Sequence, residues 1–133
     1  MRSVSVALLL AAAVLLSTVM PAAAQLGGFP CPGSYPPLVG KAHEQLTIST
    51  VAKTLTQAVY MVSGQGPLAA QITVISAAIN AIDDGTTATA AIGQVVSPGT
   101  TFWACGGHSV GALSMIRNGG SDATANIIYY YAP

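Results

Sequence analysis

Between Gln45 and Asp84 the apolar residues recur at the spacing of a helix. Ile48, Val51, Leu55, Val59 and Val62 fall at steps of 3, 4, 4 and 3, and Leu68, Ile72, Ile75, Ile79 and Ile82 at steps of 4, 3, 4 and 3. Each set is one stripe of a 3.6-residue period, which predicts two amphipathic helices. Ser63-Gly64-Gln65-Gly66-Pro67 lies between them, with glycine to end the first helix and proline to open the second, where its missing N–H costs nothing. A loop this short makes the two helices antiparallel neighbours.

A third amphipathic segment is predicted from Ala88, Ala91, Ile92 and Val95, capped by Asp84 or Thr86 and stopped by Ser97-Pro98-Gly99. The chain then breaks into shorter pieces. Thr100 to Cys105 has strand propensity. Ser109 is placed to cap a short helix through Val110, Leu113 and Ile116, which Asn118-Gly119-Gly120 closes. Ala123 to Tyr131 reads as helix or strand, with helix preferred for consistency with the rest. The expected fold is mostly α: a small helical bundle built on the antiparallel hairpin, with an irregular, disulfide-tethered N-terminal arm and a Gly-rich C-terminal third.

Arg2, the apolar run Val4 to Leu16 and Ala22-Ala23-Ala24 before Gln25 together read as a secretory signal peptide over residues 1–24. Residues 25–42, rich in proline and glycine, form the expected arm, and residues 43–133 a single small domain. After Gln25 no apolar stretch approaches the roughly 20 residues that span a bilayer. Lys41, Lys53 and Arg117 against Glu44, Asp83, Asp84 and Asp122 leave a net charge of −1 beyond the leader. Three scattered cations make no phosphate-neutralising footprint, so nucleic-acid binding is set aside. Charged residues are only 6% of the chain, against about a quarter in a typical domain. The polar surface must therefore be built from Ser, Thr, Gln, Asn and Gly, and it resists apolar association weakly.

Cys31 and Cys105, in a chain bound for an oxidising compartment, are expected to form one disulfide. Gly107-His108-Ser109-Val110-Gly111 matches the G-x-S-x-G nucleophile elbow. Its general base should follow the serine, and both histidines, His43 and His108, precede or adjoin it, so a helix cap is the preferred reading. Asp83 and Asp84 have no further carboxylate or histidine at metal-ligand spacing. No cofactor, metal or catalytic residue is implied.

Leu55-Thr56-Gln57-Ala58-Val59 leading to Ser63-Gly64, with Ile79-Asn80-Ala81-Ile82 before Asp84-Gly85, resembles the secreted hydrophobic surface-binding protein A and cell-wall galactomannoprotein family of filamentous fungi. The resemblance implies a helical bundle that adsorbs to hydrophobic surfaces or encloses a fatty acyl chain. The Cys pair and the aromatic C-terminal third depart from that family's pattern. On this reading Ile48, Val51, Leu55, Val59, Ile72, Ile75 and Ile79 line the apolar binding face, although the same residues also read as core. The expected function is that of a secreted, non-enzymatic protein binding hydrophobic surfaces or lipid at the cell wall or outside the cell. The alternative is a small secreted interaction protein, effector- or inhibitor-like, whose protein partner meets an aromatic surface around Phe102, Trp103 and Tyr129 to Tyr131.

Overall fold

The computed structural model describes Cys31 and residues 37–133; the expected signal peptide and most of the expected arm lie outside the described residues. The architecture is β, not α. Among the described residues eight strands, β1 (Val39–Ile48), β2 (Lys53–Thr54), β3 (Ala69–Val74), β4 (Ile79–Ile82), β5 (Gln94–Val96), β6 (Thr101–Cys105), β7 (Ser114–Arg117) and β8 (Ala123–Tyr131), are joined with two short helices, α1 (Gln57–Tyr60) and α2 (Gly106–Ala112). They make two antiparallel four-stranded sheets, ordered β1-β8-β3-β6 (sheet A) and β2-β7-β4-β5 (sheet B). Every connection except β4–β5 crosses from one sheet to the other, which is the jelly-roll arrangement of a double-sheet sandwich.

The helical-bundle expectation is therefore overturned. Of the first predicted helix only the single turn α1 is helical, and the second is split between β3 and β4. The alternation Ala70-Gln71-Ile72-Thr73-Val74 buries Ala70, Ile72 and Val74 and leaves Gln71 and Thr73 half-buried on the other face. A turn at residues 75–78 then resets the chain so that Ile79 and Ala81 point inward from the opposite sheet. Ile72 and Ile79 stand seven residues apart because a strand, a turn and a second strand lie between them. The supposed helical loop is a two-residue turn: Val62 and Gln65 exchange both backbone bonds, at 3.1 and 3.0 Å, around Ser63 (φ 53°) and Gly64 (φ 77°). Positive φ at both central residues is the sign pattern of a type I′ turn.

The third predicted helix is a long loop, residues 83–93, followed by β5. The strand expected at Thr100–Cys105 is present as β6, with Pro98 and Gly99 (φ 80°) in a tight turn before it. The helix near Ser109 is present but earlier than expected: Leu113 follows its C-terminal end, and Ile116 lies in β7. The tail is strand β8, the less favoured of its two readings.

The two inner faces form one core. Sheet A contributes Ile48, Ile72, Val74, Phe102, Ile127, Tyr129 and Tyr131; Ile79, Val96, Leu113 and Met115 meet them from sheet B and its approach. β8 alternates strictly, with Ala123, Ala125, Ile127, Tyr129 and Tyr131 inside and Thr124, Asn126, Ile128 and Tyr130 outside.

The expected disulfide is present, Cys31 to Cys105 with Cα atoms 5.5 Å apart. Cys105 ends β6, one edge of sheet A, while the chain after Cys31 becomes β1, the other edge. The covalent tie thus fastens Cys31, ahead of β1 in sequence, to the β6 edge of that sheet and closes a loop with a sequence separation of 74. A loop of this length is worth about 4 kcal/mol in the chain-entropy account. Reduction, or Cys31→Ser with Cys105→Ser, should lower unfolding stability by about that amount, read as the shift of the urea midpoint; an unmoved midpoint would contradict this role.

Candidate functional site

The outer face of sheet A carries side chains in rows that cross all four strands. Register places Gln45, Asn126, Thr73 and Thr101 side by side in one row. The next holds His43, Ile128, Gln71 and Trp103, and the third Gly40, Tyr130, Ala69 and Cys105. The polar members are linked: Gln45 Nε2 donates to Asn126 Oδ1 at 2.8 Å, and the hydroxyls of Thr73 and Thr101 lie 2.9 Å apart. Tyr130 donates its hydroxyl to Gln71 Oε1 at 3.4 Å, and its ring centroid is 5.1 Å from that of Trp103. A shallow groove of about 470 Å³ runs between β1 and β8, lined by His43, Glu44, Gln45, Asn126, Ile127 and Ile128. Among the described residues these three rows contain no carboxylate, ammonium or guanidinium group. Such a face offers amide and hydroxyl donors and acceptors beside aromatic edges, without net charge.

Glu44 points the other way, into the end of the sandwich. It accepts hydrogen bonds from the Tyr129 hydroxyl and from the backbone N–H of Thr56, the latter at 3.0 Å. Tyr60 of α1 stacks at a tilt on Tyr129, with centroids 5.6 Å apart, and its carbonyl accepts the Tyr131 hydroxyl at 2.6 Å. Burial, reinforced by the Glu44 hydrogen bond and charge, pushes the Tyr129 phenol far above its ordinary range; burial also raises Tyr131. The cluster seats α1 and closes the core.

On the other side, loop 83–93 folds back over the outer face of sheet B. Asn80, 2% exposed, donates through Nδ2 to the carbonyls of Thr89 (2.8 Å) and Ala90 (3.0 Å) and accepts from Asn118 Nδ2 (2.8 Å). Ser114 Oγ accepts the N–H of buried Ala88 at 3.0 Å. Gly93 (φ 127°) lies so close to β4 that a Cβ would sit 3.2 Å from the Ala81 backbone. At the tip Ala90, Ala91 and Ile92 are exposed, and Val95 of β5 is 58% exposed beside them.

Of the seven residues assigned from sequence to an apolar binding face, Ile48, Leu55, Ile72 and Ile79 are core, and Val59 packs half-buried against it. Val51 (67% exposed) lies in the β1–β2 turn and Ile75 (48%) just after β3. The seven therefore form no common surface. The aromatic set divides as well: Phe102, Tyr129 and Tyr131 point inward, while Trp103 and Tyr130 meet outside. Ser109 lies within α2, and no hydrogen bond joins it to His43 or His108 among the described residues. Asp84 is held below the ordinary carboxylate range by the backbone N–H of Thr86, a local turn and not a helix cap. Among the described residues no group of three or more His, Cys, Asp or Glu side chains is placed to hold a metal ion. Sequence reasoning missed Gln45, Gln71, Thr73, Asn126 and Asn80; the period-2 runs at 69–74 and 123–131 carried the signal for most of them.

Because the folded protein holds the Tyr129 and Tyr131 protons more tightly than the unfolded chain, their contribution to stability is complete below the ordinary tyrosine value of 10.0 and is lost as pH rises above it. Alkaline titration followed by phenolate absorbance should therefore show these two tyrosines ionising in one cooperative step together with loss of the β circular-dichroism signal. Independent, reversible ionisation of every tyrosine near the ordinary value with the fold intact would contradict the arrangement.

No protein-family profile, no curated protein and no solved structure matches this chain.

Proposed function

We propose that this is a secreted, non-enzymatic binding protein acting at the cell wall or outside the cell, and that the outer face of sheet A holds a neutral, polyhydroxylated polymer. The observation that carries the reading is the pair of rows Gln45–Asn126–Thr73–Thr101 and His43–Ile128–Gln71–Trp103, flanked by Tyr130. A sugar ring presents hydroxyl groups around its rim and C–H groups on its faces. Amides and hydroxyls satisfy the rim, and aromatic or apolar side chains cover the faces. The absence of charged groups in these rows removes the desolvation penalty that a neutral ligand would otherwise have to offset. The β1–β8 groove gives a polymer a track along the strands.

A second reading, adsorption to a hydrophobic surface or fatty acyl lipid, is favoured by Ile92 and Val95 at the margin of sheet B, exposed beside Ala90 and Ala91. The two readings use opposite sheets and are separable by mutation.

Sedimentation with insoluble chitin, β-glucan and mannan, and with zwitterionic phospholipid vesicles, tests both. Replacing two hydrogen-bonding side chains, Gln71→Ala with Asn126→Ala, should weaken glycan binding about tenfold or more and leave vesicle binding unchanged. Ile92→Ser with Val95→Thr should do the reverse. Binding to none of the polysaccharides, with vesicle binding lost in the Ile92 and Val95 variant, would overturn the first reading in favour of the second.

A further inference from the structure

The side chain of Asn118 is the outer member of a directional amide relay. Asn80 faces two carbonyls, Thr89 O and Ala90 O, which only accept, so both of its amide hydrogens are committed to them. Its Oδ1 must then turn to Asn118, and Asn118 must supply a donor, which its Nδ2 does at 2.8 Å. Asn80 is 2% exposed, so water cannot readily replace a lost partner. The Asn118 side chain thus reaches the loop over sheet B only by way of Asn80, while its backbone N–H donates separately to the Ala78 carbonyl at 2.8 Å.

Asn118 is also followed by Gly119-Gly120, in an exposed turn. Among the described residues the Gly119 N–H makes no hydrogen bond, and around Gly119 (φ 120°) a Cβ would meet nothing within 4 Å. Of the chain's three asparagines, Asn80 and Asn126 lie inside strands and precede Ala81 and Ile127. Only Asn118 combines an unhindered following residue with a free, unbonded peptide nitrogen.

We infer that Asn118–Gly119 is a site of spontaneous deamidation, and that its conversion releases loop 83–93. The Gly119 nitrogen attacks the Asn118 side-chain carbonyl carbon; a new C–N bond forms, the Cγ–Nδ2 bond breaks, and ammonia leaves with the Gly119 amide proton. Water then opens the succinimide ring at either carbonyl, giving aspartate or isoaspartate. The net change is amide plus water to acid plus ammonia. The product carboxylate is acceptor-only and faces Asn80 Oδ1, also an acceptor. Asn80 cannot resolve the clash by flipping, because its oxygen would then face the Thr89 and Ala90 carbonyls. The relay breaks, and with it the support under the Thr89–Ile92 turn. The existing Asn118–Asn80 bond holds the amide against attack, so opening of that bond sets the pace of the reaction.

The test is ageing of the purified, oxidised protein at mildly alkaline pH, with peptide mapping and hydrogen exchange. The peptide carrying residue 118 should gain the mass of an amide-to-acid change and contain isoaspartate, while those carrying Asn80 and Asn126 stay unchanged. Peptide resolution is needed because Asp84–Gly85 can isomerise with no mass change. In the converted fraction the amides of Ala88 and Ile92 should exchange about tenfold faster, and Asn118→Asp, made directly, should reproduce that loss. Asn118→Ala, which removes the donor without adding charge, should give a smaller effect in the same amides. Residue 118 unconverted under conditions that convert the unfolded chain would overturn the site. Conversion with unchanged exchange at residues 88–92, or an Asn118→Asp variant protected like the parent, would overturn the coupling.

Discussion

The strict two-residue alternation of β8 is the constraint on which the rest of the structure depends. This strand lies between β1 and β3, so its register fixes three of the four strands of sheet A. Its inward residues grade from Ala123 and Ala125 at one end, through Ile127, to Tyr129 and Tyr131 at the other. The core is correspondingly thin at the alanine end and is filled at the tyrosine end by rings whose hydroxyls need acceptors. Glu44 and the Tyr60 carbonyl supply them, which is why a carboxylate stands at the edge of an otherwise apolar interior. A slip of one residue would exchange the core set for Thr124, Asn126, Ile128 and Tyr130 and would lose both the interior and the outer rows at once.

The same economy of charge shapes both outer faces. With few ionic groups, polar surface is made by side-chain amides and hydroxyls that bond to one another across strands, and on sheet B by Asn80 and Ser114 reaching up to the backbone of a loop. The loop in return covers the outward-facing Asn80 of β4 and supplies the carbonyls that its buried amide needs. A small core needs such local ties. The disulfide that fastens Cys31 to the β6 edge of sheet A is the covalent counterpart of these ties.

Part of this was legible in the sequence and part was not, for physical reasons. The disulfide and strand β6 depend on residues with strong local meaning, and the structure has both; Ser97-Pro98-Gly99 and Asn118-Gly119-Gly120 do interrupt the chain, but they follow strands β5 and β7 and not the helices expected there. The helical stripes were misread because a seven-residue recurrence arises equally from two helical turns and from a strand, a turn and a strand in facing sheets. Ile72 and Ile79 are the case in point. Alternation should have distinguished them, but its contrast is weak here: the outer face of β8 carries Ile128 and Tyr130 beside Thr124 and Asn126, and the inner face opens with the small Ala123 and Ala125. The β-branched Ile72, Thr73, Val74 and Ile75 were the better cue. The polar rows of sheet A were invisible for a further reason: Gln45, Gln71 and Thr101 become neighbours only through strand order, which no local pattern encodes.

The most direct test of the account is the backbone NMR of the oxidised protein over residues 68–82 and 123–131. The structure predicts cross-strand contacts from Ile72 to both Ile127 and Phe102, with slowly exchanging amides in β3 and β8. Continuous sequential amide–amide contacts from Leu68 to Ile82, the mark of an unbroken helix, would contradict it and with it the outer face on which the binding proposal stands.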